Sequence, residues 1–164
     1  MRYWTNARFA EPVVQAMSQA VDQLKARHGA RALVLVGYSG GGAVAALLAA
    51  RRDDVVRLVT VAGNLDHAAW TAHHRVRPLA ASLNPADVAE RLRRIPQTHF
   101  IGARDRVISP QLAENWPQSI SGSGRRNLVI LPDTDHVCCW ADHWPSLLKS
   151  PLFDWPTPKS ADLL

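Results

Sequence analysis

Short apolar runs alternate along this chain with longer segments whose apolar residues recur at helical spacing. The runs that predict strands are residues 32–36, 55–62, 98–102 and 127–131. Because these runs are apolar at nearly every position, we expect both faces of each strand to be covered, as in parallel sheets. Strands that alternate with helical segments in this way predict parallel pairing and crossover helices.

Helical spacing is clearest before the first predicted strand. Between residues 12 and 27, apolar residues such as Val14, Val21 and Leu24 recur at spacings of three and four, and Gly29 can end the helix. A longer connection, residues 64–95, contains Asn-Pro-Ala-Asp at 84–87, which opens a short helix. The expected fold class is α/β, with three αβα layers around a mostly parallel sheet.

Composition and charge narrow the classes of protein to consider. The 164 residues suffice for one domain with a sizeable core, and the net charge of +5 comes almost entirely from arginine. The arginine pairs at 51–52, 93–94 and 125–126 are scattered, and no nucleic-acid recognition motif joins them, so no nucleic-acid partner is predicted. No run is long enough to predict a transmembrane segment. A cytoplasmic location is expected for the chain as given, with export of a longer form left open.

The two cysteines are neighbours, Cys138 and Cys139. Adjacent residues do not easily satisfy the geometry of a disulfide, so we expect no bridge between them. We also expect both to be buried near the last helix. They say little about the redox compartment of the protein.

The first predicted strand ends in the sequence Gly37-Tyr38-Ser39-Gly40-Gly41. This is the pattern G-x-S-x-G, in which a serine stands on a sharp turn between a strand and a helix. We expect side chains at Gly37 and Gly41 to collide with neighbouring backbone, and the Gly40 N–H to point to where an oxyanion forms. A phosphate-binding turn is the alternative, but the glycine spacing matches neither common phosphate motif.

Two later strands are followed by residues that can work with a serine. Asp105 follows the strand at 98–102, and His136 follows the strand at 127–131. Their order, serine, then acid, then histidine, is typical of serine hydrolases on parallel sheets. Asp66, which follows the strand at 55–62, is a rival for the acid.

His136 also belongs to a possible metal cluster. The other members would be Asp133, Asp135 and His143. The chain contains neither H-E-x-x-H nor paired C-x-x-C, so the metal alternative is disfavoured. We predict no metal site.

Together these motifs resemble the α/β-hydrolase superfamily, and bacterial members of it in particular, from about Ala10 to Lys149. The resemblance implies Ser39 as nucleophile, His136 as base and then acid, and Asp105 as the residue that orients the histidine. It implies the Gly40 N–H as one oxyanion donor and no cofactor.

In this superfamily, insertions such as 64–95 commonly form a cap over the active site. Three residues are weaker candidates for binding the substrate: Tyr38, His67 and Trp70. Each could instead be a packing residue.

Members of the superfamily place several strands before the helix predicted at 12–27, so we expect residues 1–150 to be the C-terminal part of such a domain, followed by a tail at 151–164. In such members that earlier part includes the loop with the second oxyanion donor, so we expect this chain to lack it. We also expect the first strand to have an unpaired edge, where a second copy or a complementing chain binds.

Two functions follow from these features. The leading hypothesis is a serine hydrolase that cleaves a carboxylic ester or a related acyl bond of a small molecule through an acyl-enzyme. The alternative is a catalytically impaired hydrolase remnant that acts as a binding or assembly module.

Overall fold

The computed structural model describes residues 2–116 and 126–151. The strands are β1 (Leu33–Tyr38), β2 (Val55–Val61), β3 (Gln97–Gly102) and β4 (Arg126–Leu131). The α-helices are α1 (Glu11–His28), α2 (Gly40–Ala49), α3 (His67–His73), α4 (Ala89–Leu92), α5 (Pro110–Glu114) and α6 (Trp140–Lys149). Two 3-10 turns lie at Arg2–Trp4 and Pro85–Val88. Of the tail expected at 151–164, all but Pro151 lies outside the described residues.

The four strands form one sheet in the order β1-β2-β3-β4, and every neighbouring pair is parallel. In register, Gly37 lies opposite Thr60, and Gly102 lies opposite Leu131. Because all strands run in the same direction, the turn and loops that follow their carboxyl ends meet at one edge of the sheet. Residues placed in those loops can therefore come together although they are far apart in sequence.

Helices cover both faces of the sheet. Successive residues of a strand point to opposite faces, and Leu58 and Val59 of β2 are both fully buried. Leu58 packs in a cluster with alanines of α2, whereas Val59 packs in a cluster with Trp140 and Leu147 of α6. The predicted three-layer αβα class is confirmed, with a sheet that is entirely parallel.

Strand β1 lies at one edge of this sheet. Within the described residues it pairs only with β2. The side chains of Val36 and Tyr38 are 46% and 47% exposed. The expectation that both faces of every strand are covered is correct for β2 and β3. It is wrong for the end of β1 and for β4, where Ile130 is 40% exposed.

The segment before α1 packs against the connection between β2 and β3. The backbone N–H of Leu83 donates to the carbonyl of Phe9 at 3.1 Å, and the N–H of Phe9 donates to the Ser82 hydroxyl at 3.1 Å. Phe9 itself is buried. This contact places residues 2–10 beside the carboxyl end of β1.

Helix α1 ends as predicted at Gly29, whose φ of 61° is readily adopted by glycine. Among the described helices, none combines the length and the hydropathy that crossing a bilayer requires. The cytoplasmic location stays a prediction.

Candidate active site

Ser39 occupies a sharp turn between β1 and α2. Its φ of 51° and ψ of −121° lie in a region that residues other than glycine rarely adopt. The Ser39 N–H donates to the Val61 carbonyl at 2.9 Å, and the Ser39 carbonyl accepts from the N–H groups of Gly42 and Asn64 at 3.0 Å. These bonds to the end of β2 hold the serine in its strained conformation.

The glycines around Ser39 differ in how closely other backbone approaches them. A Cβ on Gly37 would overlap the backbone carbonyl of Gly41, and a Cβ on Gly42 would lie 2.8 Å from the Cα of Gly63. A Cβ on Gly41 would meet nothing within 4 Å. The expected collision of a side chain with backbone is correct for Gly37 and wrong for Gly41. The loop after β2 approaches α2 at Gly42 instead.

His136 lies between Ser39 and Asp105. Its Nε2 is 3.0 Å from the Ser39 Oγ, and its Nδ1 is 2.9 Å from the Asp105 Oδ2. When the imidazole is neutral, Nδ1–H donates to the carboxylate and Nε2 accepts from the serine hydroxyl. The structure thus brings together the three side chains that the sequence proposes as a catalytic set.

Asp105 is held by its own loop. Its Oδ1 accepts from the N–H groups of Val107 and Ile108 at 2.7 and 2.8 Å, which leaves Oδ2 for His136. The side chain of Asp105 is fully buried, whereas that of His136 is 15% exposed. Two backbone donors fix the carboxylate, so it can orient the imidazole.

The rival acid, Asp66, has another place in the structure. Its Oδ1 accepts from the N–H groups of Ala68 and Ala69 at 3.1 Å, so it caps α3. The same oxygen accepts from the Asn84 amide at 3.0 Å. These contacts give Asp66 a local structural role.

The loop that carries His136 is tied by its neighbours. The Asp135 Oδ1 accepts from the N–H groups of Val137 and Cys138 at 2.7 and 2.6 Å, and these bonds hold the pKa of Asp135 below its ordinary value. The indole N–H of Trp140 lies 3.0 Å from the Asp135 carbonyl and 3.2 Å from that of His136. The main chain around the histidine is therefore bonded on both sides.

The adjacent cysteines in this loop differ from expectation. Cys138 and Cys139 form a disulfide, and Cys138 is exposed while Cys139 is half-buried. Both expectations, that they would not bridge and that they would be buried, are wrong. The backbone of Cys139 has a left-handed φ of 89° in this turn.

Tyr38 contacts the histidine directly. Its hydroxyl donates to the carbonyl of His136 at 2.6 Å, and the two rings lie 5.5 Å apart. Burial raises the pKa of Tyr38, and the negative charges of Asp105 and Asp135 raise it further. The sequence proposed Tyr38 as a substrate-binding residue, and its hydroxyl is engaged with the histidine loop.

The other two candidates for substrate binding lie at different depths. His67 is 7% exposed, and its ring lies 6.1 Å from that of Phe9. Trp70 is half-buried, and its indole N–H donates to the Val107 carbonyl at 2.9 Å. Trp70 therefore flanks the Asp105 loop, while His67 packs beneath the segment before α1.

The disfavoured metal alternative concerned Asp133, Asp135, His136 and His143. Asp133 pairs with Arg104 at 2.6 Å, and His136 faces Ser39 and Asp105. Over residues 2–116 and 126–151, no group of three or more histidine, cysteine or carboxylate side chains is arranged to hold a metal ion.

Gly40 is the first residue of α2. The first N–H groups of a helix have no acceptor within the helix, and the helix dipole adds a partial positive charge there. The Phe9 Cε1 atom lies 3.3 Å from where a Cβ of Gly40 would stand. Gly40 therefore lies at the start of α2 beside Ser39, with the ring of Phe9 packed against it.

Sequence reasoning did not single out Phe9 or Trp140 for the site. Phe9 carries no local signal, because its contact with Gly40 depends on how the segment before α1 packs. For Trp140 a signal exists: a buried indole N–H needs an acceptor, and the nearest carbonyls in sequence belong to the loop of His136.

The sequence matches no protein-family model and has no significant match among curated proteins. Solved structures do resemble it. A Klebsiella pneumoniae protein assigned as a dienelactone hydrolase is 24% identical, with a TM-score of 0.60 over 79% of this chain. A Pyrococcus furiosus esterase is 16% identical, with a TM-score of 0.69 over 89% of this chain. An α/β hydrolase from a sediment metagenome is 18% identical, with a TM-score of 0.63 over 87% of this chain.

The chain spans 56%, 63% and 68% of the lengths of these three proteins. At identities below 25%, the likeness concerns the fold. It confirms the expected relationship to the fold of the α/β-hydrolase superfamily.

Proposed function

We propose that this chain, which has the α/β-hydrolase fold, hydrolyses a carboxylic ester through an acyl-enzyme on Ser39. The observation that carries the proposal is the bonded series Ser39, His136 and Asp105, with separations of 3.0 and 2.9 Å at the carboxyl end of the sheet. Serine needs an adjacent base to act as a nucleophile, and the base needs an orienting partner.

In the first half of the reaction, Ser39 Oγ attacks the carbonyl carbon of the ester while His136 Nε2 takes the hydroxyl proton. Asp105 stabilises the imidazolium that forms. The tetrahedral intermediate then collapses, the bond to the alcohol breaks, and His136 gives its proton to the leaving oxygen. The acyl group remains on Ser39 as an ester.

In the second half, water attacks the acyl-enzyme. His136 removes a proton from the water and returns it to Ser39 as the acid leaves. During both halves the Gly40 N–H faces the negative oxygen of the intermediate, where a donor is worth roughly 100-fold to 1,000-fold in turnover.

Ser39, His136 and Asp105 fix the nucleophile and leave the acyl group open. We take a carboxylic ester as the default substrate. The assignments of the structural neighbours, an esterase and a dienelactone hydrolase, support an ester-type bond. Thioesters, lactones and amides are the competing classes, and a matched panel of such substrates separates them.

A fluorophosphonate probe tests the proposal. We expect one adduct by intact mass on the wild-type chain and none on Ser39→Ala. A matched control is Ser109→Ala, since Ser109 caps α5 through the Leu112 N–H at 3.3 Å and lies outside the bonded set. Adduct formation on Ser109→Ala is expected. A folded wild-type chain that takes no adduct overturns the hydrolase proposal.

A second candidate function is assembly through β1 without catalysis. Val36 and Tyr38 are about half exposed, and they line an apolar recess of about 410 Å³ with Trp140, Trp144 and Pro145 of α6. From Leu33 to Tyr38 the edge carries no charged residue, so two copies can pair along it without charge repulsion. The proposed partner is therefore a second copy of this chain.

Light scattering over a range of concentrations tests this assembly. We expect a dimer that Val36→Lys disrupts, because a lysine at the edge opposes strand pairing. A wild-type chain that stays monomeric at every concentration contradicts the assembly function.

A further inference from the structure

A recess of about 620 Å³ lies between the segment before α1 and the connection that contains α3. Its lining includes Asn6 and Arg8 from the first of these and Trp70, Arg77 and Leu79 from the second. The Ala81 N–H donates to the Asn6 carbonyl at 3.3 Å, so the two walls are joined along one side. The volume suits one end of a small molecule.

Both walls continue to the candidate active site. Arg8 precedes Phe9, whose ring packs on Gly40 next to the nucleophile. On the other wall, the Trp70 indole bonds to the Val107 carbonyl, and the Val107 N–H bonds to Asp105. The two walls of the recess are therefore linked, through Phe9 and through Trp70, to the segments that hold Gly40 and Asp105.

The charge of the recess is positive and not neutralised. Neither Arg8 nor Arg77 forms an ion pair within residues 2–116 and 126–151, and no lining residue is acidic. Five arginines elsewhere in the described residues are paired with carboxylates, for example Arg51 with Glu11 at 2.6 Å. Asp66 at the start of α3 has its Oδ1 used by two N–H groups and the Asn84 amide.

We infer that this recess binds an oxyanion on the substrate, so that the preferred esters carry a negatively charged group beyond the scissile bond. The inference rests on the proposed ester hydrolysis and names its substrate class. A guanidinium offers several donors in a plane and binds a carboxylate or phosphate by paired hydrogen bonds. The indole of Trp70 supplies apolar surface for the carbon chain between that anion and the ester.

The test compares two para-nitrophenyl esters of adipate, one with a free carboxylate and one whose second carboxyl is a methyl ester. The variant is Arg8→Gln with Arg77→Gln. We expect kcat/KM for the free carboxylate to fall about tenfold or more, since hydrogen bonds to charged groups contribute about 1.5 to 3 kcal/mol. The value for the methyl ester is expected to stay unchanged.

A matched control removes the same charge elsewhere: Arg31→Gln with Arg91→Gln, two arginines that are exposed and outside the recess. The inference is wrong if kcat/KM for the free carboxylate falls as much in this control as in the recess variant. It is also wrong if kcat/KM of the recess variant falls equally for both esters. Competition by glutarate or by inorganic phosphate distinguishes a carboxylate from a phosphate as the preferred anion.

Failure of the proposed function is separable from failure of this inference. If neither ester is turned over in a Ser39-dependent way, the hydrolase proposal fails. The recess is then tested by titrating glutarate and inorganic phosphate into the Ser39→Ala chain in a calorimeter. Binding of either anion that is lost with Arg8→Gln and Arg77→Gln supports the recess, and absence of binding for both overturns it.

Discussion

The hydroxyl of Tyr38 donates a hydrogen bond of 2.6 Å to the backbone carbonyl of His136, 98 residues later in the chain. Tyr38 is the residue before Ser39, the proposed nucleophile, so one short segment holds both the serine and the main chain of His136. The Trp140 indole lies 3.2 Å from the same carbonyl. We therefore expect Tyr38 to position His136.

Tyr38→Phe removes this hydrogen bond and keeps the ring that faces His136. We expect kcat to fall about threefold to tenfold with KM unchanged, because a single hydrogen bond contributes about 0.5 to 1.5 kcal/mol. Steady-state hydrolysis measures the fall in kcat, and the rate of fluorophosphonate labelling gives a second measure of the same loss. Tyr3→Phe is the control, and equal kcat values for wild type and Tyr38→Phe would show that the bond does not position the base.

The pKa of Tyr38 is raised by burial and then by the charges of Asp105 and Asp135. This raised pKa sets how the difference in kcat between wild type and Tyr38→Phe depends on pH. A phenol donates only while it is protonated, and an ordinary tyrosine ionises near about pH 10. We therefore expect the ratio of kcat for wild type and Tyr38→Phe to stay constant from pH 7 to about 10. A ratio that falls to one below pH 10 would contradict the raised pKa.

Asp105→Asn is expected to lower the labelling rate and kcat roughly 1,000-fold or more. The asparagine oxygen can still accept from Val107 and Ile108, but its NH2 group then faces His136 Nδ1 and stabilises the wrong tautomer. Asp66→Asn is the matched control, for which we expect kcat and stability to be retained, because the asparagine oxygen can still accept from Ala68 and Ala69 and so cap α3. A large loss of kcat in Asp66→Asn, with kcat retained in Asp105→Asn, would make Asp66 the acid.

Gly42→Ala and Gly41→Ala form a second matched pair. The new Cβ at 42 would lie 2.8 Å from the Gly63 Cα, so we expect a loss of about 1 to 3 kcal/mol in the free energy of unfolding. At 41 the Cβ meets nothing within 4 Å, and alanine favours a helix over glycine by about 0.5 to 1 kcal/mol. Urea unfolding measures the free energy of unfolding of both variants. If Gly42→Ala is more stable than Gly41→Ala, the close approach of α2 to the loop after β2 is refuted.

Stability in acid depends on Asp54, which receives hydrogen bonds from Arg52 and Lys25. The bond from Arg52, and then that from Lys25, lowers the pKa of Asp54 against the opposing effect of burial. A lowered folded pKa stabilises the fold above the unfolded pKa of about 4, and this contribution is lost as pH falls through the folded pKa. Asp54→Asn should therefore lower stability at pH 7 and flatten its decline below about pH 4.

Urea unfolding from pH 7 to 2 measures this effect. The control is Asp53→Asn, whose side chain is 90% exposed where it pairs with Arg94, so we expect little change. An unchanged acid slope in Asp54→Asn would show that this carboxylate is not linked to folding.

Much of the fold could be predicted from local pattern. The four strands differ from the predicted runs by at most two residues at an end, because consecutive apolar residues bounded by polar loops leave few alternatives to a buried parallel strand. The ends of α1 were similarly indicated, since Gly29 takes a positive φ there. Local pattern did not show that Val36 is exposed, because exposure depends on which strands flank β1.

The sequence by itself determined which three side chains meet at the candidate site. Ser39, Asp105 and His136 each follow a strand, and parallel strands bring their carboxyl ends to one edge whatever the helices do. It did not determine which groups hold these residues in place. The bond from Tyr38 to His136 and the closeness of Gly42 to Gly63 join segments far apart in sequence.

Only the tertiary structure decided the surroundings of that site. Whether Arg8 and Arg77 share a recess depends on the packing of residues 2–10 against the connection after β2, and no periodicity or motif encodes such a contact. The physical reason is that strand and helix patterns are local, whereas the distance between two loops is set by all the elements that separate them.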